Sequence, residues 1–82
     1  MYTNNPFNGK TVVATGKLEG YTRDGIQMKL LLLGAKPVGA VSKNTDYLIV
    51  GEKAGGKLDK ARQLGVTTLT EVQFEAMLEG KS

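Results

Sequence analysis

The run Tyr47-Leu48-Ile49-Val50, closed by Gly51, constrains this chain more than any other stretch. It is continuous rather than alternating, rich in aromatic and β-branched residues, and too short for a helix. Such a run suits a central strand covered on both faces. Two-sided cover implies helices above and below a parallel sheet. The rest of the chain alternates accordingly. Thr11-Val12-Val13-Ala14-Thr15 reads as another buried strand, ended by Gly16. Thr22 offers a hydroxyl N-cap to a helix. That helix carries Ile26, Leu30 and Leu33 at helical spacing, with Leu31 and Leu32 widening its apolar face and Gly34 as its stop. Lys36-Pro37-Val38 is a short strand, and Pro37, lacking an N–H, assigns it to a sheet edge.

Gly55-Gly56 opens a second helix that runs to Leu64, with Leu58, Ala61 and Leu64 facing inward and Gly65 as its cap. Val66-Thr67-Thr68-Leu69 is the last strand. Thr70 and Gln73 form a T-x-x-Q capping box for a final helix with Phe74, Met77 and Leu78 as its apolar stripe and Gly80 as its end. The expected order is β-α-β-β-α-β-α, an α/β fold. Met1 to Pro6 form a polar lead-in, Phe7 tucks under the domain edge, the single domain spans 7–80, and 81–82 are a tail.

The residue types exclude several functions. The 82 residues contain no Cys and no His. Disulfides, thiolate chemistry, imidazole metal ligands and Ser-His-Asp or Cys-His nucleophilic sites are therefore out of reach. Zinc sites are usually built from those two residue types, and no dense acidic cluster suggests Mg²⁺ or Ca²⁺. The 8 carboxylates are dispersed, most of them on helix surfaces, which argues against a paired acid/base site. A chain this short buries only about 60% of the surface its unfolded form exposes, leaving little room for a deep catalytic cleft. The expectation is a binding domain, not an enzyme, with no cofactor and no metal. No stretch is long enough to span a membrane, no signal-peptide pattern opens the chain, and cysteine absence fits a reducing compartment. The net charge of +3 is compatible with a polyanionic partner.

Three constellations could hold such a partner. Thr15-Gly16 ends a strand, and ligands of parallel α/β sheets bind at the carboxyl ends of strands. The Thr15 hydroxyl and the Gly16 N–H can both donate to an anion. Arg23, at the start of the next helix, brings a forked guanidinium to the same region. The plainer reading of these residues is a turn and a solvated arginine.

The second constellation is Gly51-Glu52-Lys53-Ala54-Gly55-Gly56-Lys57-Leu58, which has the G-x-x-x-x-G-K spacing of a phosphate loop between a strand and a helix. Leu58 stands where a Mg²⁺-binding Ser or Thr is needed, and no strand ends in the acid that completes such a site, so hydrolysis does not follow. Anion attraction at a helix N-terminus does. Lys57 opposes the helix dipole there, which suggests a role other than helix stability, and Lys60 follows one turn later. The third is the polar turn Ser42-Lys43-Asn44-Thr45-Asp46, where Lys43 could add positive charge to the same rim.

Taken in order, these segments resemble the BRCT domain family. The carriers are Gly9-Lys10, Val12-Val13, Thr15-Gly16-Lys17-Leu18, Arg23-Asp24, Leu33-Gly34-Ala35-Lys36, Val41 through Gly51, Gly55, Lys57-Leu58, Lys60-Ala61 and Leu64-Gly65-Val66. Within the family the S-K-x-T-D-x-L-x-x-G and G-x-K-L-x-K-A-x-x-L-G-V stretches look most like the C-terminal BRCT domain of bacterial NAD-dependent DNA ligases. The chain is also similar to the BRCT domain of the replication factor C large subunit, a reader of 5′-phosphorylated DNA ends.

The resemblance implies a four-stranded parallel sheet flanked by three helices. It implies a phosphate pocket at Thr15, Gly16, Arg23 and Lys57, with Lys43 and Lys60 making less specific backbone contacts. The expected partner is DNA at a 5′-phosphate end or nick, read with little base preference, inside a bacterial, cytoplasmic and nucleoid-associated repair or replication protein. Other domains of that protein are further expected partners. The alternative is a protein-interaction module, phosphate-independent or phosphopeptide-binding. Phe74 stands where many BRCT domains carry Trp, and no second repeat is present.

Overall fold

The computed structural model describes residues 6–79, and its elements follow the expected order: β1 (Thr11–Thr15), α1 (Arg23–Leu32), β2 (Lys36–Pro37), β3 (Tyr47–Val50), α2 (Gly56–Leu64), β4 (Thr67–Thr70) and α3 (Glu71–Leu78). The polar lead-in before Pro6, the stop at Gly80 and the tail fall outside the described residues. All four strands are parallel in the order β2-β1-β3-β4. β3 is central, as its unbroken apolar run requires, and β2 lies at an edge. Lys36 N–H donates to Lys10 O at 2.7 Å and Val38 N–H to Val12 O at 3.0 Å, so Pro37 sits where no donor is needed.

Strand alternation divides the core between the two faces. Val12 and Ile49 join Leu18, Ile26, Leu30, Leu33, Leu69 and Phe74 on one face. Val13 and Leu48 join Val41 and Ala61 on the other, with Leu58 and Leu64 partly buried beside them. Helices α1 and α3 therefore cover one face and α2 the other. Phe7 lies deeper than a domain-edge position. It is fully buried, with its ring 5.2 Å from Tyr47 and 5.0 Å from Phe74. Burying an aromatic of this size contributes about 1.5–3 kcal/mol, so Phe7, although it precedes β1, is part of the core.

The helix ends follow their local chemistry. Thr22 Oγ1 accepts from Gly25 N–H at 2.9 Å. Thr70 Oγ1 accepts from Gln73 N–H at 3.1 Å while Gln73 Oε1 accepts from Thr70 N–H at 2.9 Å, completing the capping box. At the end of α1, Gly34 N–H donates to Leu31 O and Ala35 N–H to Leu30 O. At the end of α2, Gly65 N–H donates to Arg62 O and Val66 N–H to Ala61 O. Both are Schellman closures on a left-handed glycine.

Two expectations are corrected. Leu31 and Leu32 do not widen the buried face of α1; they are 58% and 64% exposed. Ile26, Leu30 and Leu33 already fill the inward stripe, and residues one and two positions past Leu30 are turned about 100° and 200° away from it. The last strand begins at Thr67 rather than Val66, because the Val66 N–H closes α2 and is not available to the ladder.

Candidate functional site

The carboxyl ends of β1 and β3 cross at two glycines. Gly16 has φ +80°, and a Cβ there would lie 2.6 Å from Glu52 O and 2.8 Å from the Gly51 carbonyl carbon. A Cβ on Gly51 would lie 2.5 Å from Lys17 O. The two chains meet backbone to backbone, joined by Lys17 N–H to Glu52 O and Glu52 N–H to Lys17 O, both 2.9 Å. Only glycine allows that approach.

The crossing forms one wall of an open cleft of about 1180 Å³, whose lining includes Thr15, Gly16, Arg23 and Lys57. Three elements supply them. Thr15 and Gly16 end β1, Arg23 is the first residue of α1, and Lys57 lies in the first turn of α2. Arg23 and Lys57 are exposed, whereas Thr15 is only 9% exposed. The Thr15 hydroxyl donates to Ala54 O at 3.2 Å, which ties the end of β1 to the loop carrying Lys53 and leading to Lys57.

Lys17 and Lys53 line the same cleft, so it holds four cationic side chains against two acidic ones, Glu19 and Glu52. A low-dielectric wall with such an excess concentrates positive potential, which suits a phosphate oxygen and disfavours a cation. Neither lysine is among the expected phosphate-binding residues. Lys53 sits inside the glycine-rich loop but had no motif position of its own. Its φ is +56°, the single positive value among the described non-glycine residues. A side chain in that region costs about 1–2 kcal/mol. The strained residue lines the cleft, and strain of this kind tends to collect at binding sites.

Lys43 and Lys60 do not line this cleft. Lys43 belongs to the turn that delivers the chain to the amino end of β3, closed by Thr45 N–H to Ser42 O at 3.0 Å. Asp46 fastens that turn to the start of β1, its carboxylate accepting from Thr11 N–H at 2.8 Å. The cleft opens at the opposite ends of the strands. Lys60 is exposed on α2, one turn beyond Lys57.

No helix among the described residues is long and apolar enough to cross a membrane. A model of the BRCA1 C Terminus (BRCT) domain family matches residues 3–78. Curated relatives include DNA ligases of Clostridium perfringens, 60% identical over 73 residues, and of Clostridium tetani, 55% identical over 74. The alignments cover 89% and 90% of this chain but only 11% of each ligase. A DNA ligase of Lactobacillus helveticus is 57% identical over 75 residues, again 92% of this chain and 11% of the relative. Among solved structures, the crystal structure of S. pombe Rad4 BRCT3,4 superposes with a TM-score of 0.71 at 23% identity, over 92% of this chain and 43% of that one. That identity speaks for the fold alone, while the family match spans nearly the whole chain. The chain belongs to the BRCT domain family and is similar to a short segment of bacterial DNA ligases.

Proposed function

We propose that this domain is a non-catalytic DNA-binding module, part of a bacterial NAD-dependent DNA ligase or another replication or repair protein, that holds the phosphate at a DNA end or nick. The observation that carries the reading is the convergence of Thr15, Gly16, Arg23 and Lys57 on one cleft at the carboxyl ends of the strands. The relatives, named as DNA ligases, supply the context.

In this reading Arg23 and Lys57 make charge-assisted bonds to phosphate oxygens. The Gly16 backbone lies close enough to contribute because it carries no side chain. The Thr15 hydroxyl turns from Ala54 O toward the stronger, charged acceptor. Lys17 and Lys53 extend the positive surface along the adjoining strand, and Lys43 and Lys60 act as peripheral backbone contacts. Phosphate contacts position a protein without reading sequence, so base preference is slight. The cytoplasm, at the nucleoid, is the corresponding location.

The test compares duplex DNA with and without a 5′-phosphate over a salt series. Affinity should fall as salt rises, because bound counterions are released. The Arg23→Ala and Lys57→Ala variants should each lose about 10- to 100-fold in affinity for the phosphorylated end. Equal binding of phosphorylated and unphosphorylated ends would refute the pocket, and a flat salt response would refute DNA binding.

A second reading is a protein-docking module. It is favoured by the exposed apolar side chains Met28, Leu31 and Leu32 on α1, at 59%, 58% and 64%. It predicts that Leu31→Lys abolishes partner capture while Thr15→Ala and Lys57→Ala leave it intact.

A further inference from the structure

The connection from Gly16 to Thr22 lines the cleft throughout; it carries no regular secondary structure, yet it presents Lys17 and leads into Arg23. Its conformation is held from a distance. Glu71, the first residue of α3, accepts from Glu19 N–H through Oε1 at 2.7 Å and from Gly20 N–H through Oε2 at 2.8 Å. One carboxylate thus clasps two consecutive backbone amides across more than 50 residues of sequence. One turn later, Glu75 accepts from the Tyr21 hydroxyl, and the Tyr21 ring packs edge-on to Phe74 with centroids 6.1 Å apart. Thr22 then caps α1 through Gly25 N–H. Glu19 through Thr22 are therefore tied, residue by residue, to α3 or to α1.

The sequence makes room for this clasp. A Cβ on Gly20 would lie 2.8 Å from Glu71 Oε2, although the backbone there is not left-handed. The glycine is needed for the approach of the carboxylate, not for its own φ. An acid in the first turn of α3 also suits the helix dipole. That role alone requires neither a bond to two amides of another segment nor a glycine opposite them.

We infer that Glu71 is a positioning residue for the anion cleft: its clasp on Glu19 and Gly20 sets the loop that runs from the fixed Lys17 into Arg23. The inference rests on the phosphate reading for its purpose, but not for its geometry, and the two can be tested apart. The experiment uses the 82-residue chain with Glu71→Gln, which keeps one neutral acceptor oxygen and replaces the other with a donor, so that one bond is lost and the other weakened, and Gly20→Ala, which displaces the carboxylate without altering α3.

Amide hydrogen exchange in the absence of DNA reads the clasp. Exchange at Glu19 and Gly20 should accelerate by about 10- to 100-fold in either variant, well beyond any change at the core amides of Val13 and Ile49, which report global opening. The Arg23 backbone resonances should shift. Unchanged exchange at Glu19 and Gly20, acceleration equal to that of the core amides, or unmoved Arg23 resonances each overturn the inference. DNA binding reads the purpose. The preference for 5′-phosphate over 5′-hydroxyl ends should fall by at least about threefold. A wild-type chain that shows the preference, and variants that retain it in full with the clasp open, also overturn the inference. A wild-type chain without any preference instead overturns the phosphate reading, while exchange and the Arg23 resonances still decide the clasp.

Discussion

Replacing Gly16 with Ala separates two reasons for a glycine that the sequence alone merges. Gly16 and Gly65 share a left-handed backbone, φ +80° and +75°. Alanine at either position incurs the same conformational penalty, about 1–2 kcal/mol. The surroundings differ. Nothing lies within 4 Å of a Cβ at Gly65, whereas at Gly16 Glu52 O, the Gly51 carbonyl carbon and Gly51 O lie 2.6, 2.8 and 2.9 Å away. All three are backbone atoms with no side-chain freedom to give. Relief requires the β1 and β3 ends to part, which stretches the two 2.9 Å bonds between Lys17 and Glu52.

Each of those bonds is worth about 0.5–1.5 kcal/mol, so Gly16→Ala should cost about 1–3 kcal/mol more than Gly65→Ala. For a domain of this size, with stability of the order of 4–12 kcal/mol, that difference is large. Urea denaturation followed by circular dichroism measures it. At a slope of about 1–2 kcal/mol per molar, the Gly16→Ala midpoint should lie roughly 0.5–3 M below that of Gly65→Ala. Coincident midpoints would show that the backbone crossing contributes nothing beyond φ, and the account of the cleft wall would fail.

Other perturbations test the remaining packing. Phe7→Ala removes a fully buried ring between Tyr47 and Phe74 and should cost about 3–5 kcal/mol in chemical denaturation; a loss below ~1 kcal/mol would place Phe7 outside the core. Leu30→Ala, at 1% exposure, should cost about 2–5 kcal/mol. Leu31→Lys, one residue on and 58% exposed, should stay within about 0.5 kcal/mol of wild type, and equal losses for the pair would contradict the observed facing of α1. Thr70→Ala breaks the reciprocal capping box and should lower stability by about 1 kcal/mol, with increased exchange at the Gln73 amide as its local sign.

Features that depend on near neighbours were legible in the chain itself. The strand runs at Thr11–Thr15 and Tyr47–Val50 coincide with β1 and β3, and the hydroxyl caps at Thr22 and Thr70 make the bonds their spacing implied. Gly34 and Gly65 stop their helices through bonds to carbonyls within the preceding turn. Pro37 marked an edge because the missing N–H is a property of the residue. The order of elements and the parallel sheet followed from these local signals.

The cleft could be read only in part. Strand ends and helix starts made Thr15, Gly16, Arg23 and Lys57 candidates, the BRCT resemblance joined them in one pocket, and those four line one cleft. Tertiary structure alone decided the rest. It turned Leu31 and Leu32 outward, drew Phe7 into the core, kept Lys43 at the far end of the sheet and Lys60 out of the cleft, and added Lys17 and Lys53 to its lining. It also joined Glu71 to Glu19 and Gly20 across more than 50 residues. The physical reason is range. Periodicity, capping and φ preference act over about one helical turn or one strand, within which a sequence carries its own partner. Which face of α1 meets the sheet, and which amides a carboxylate on α3 can reach, depend on how separate elements dock.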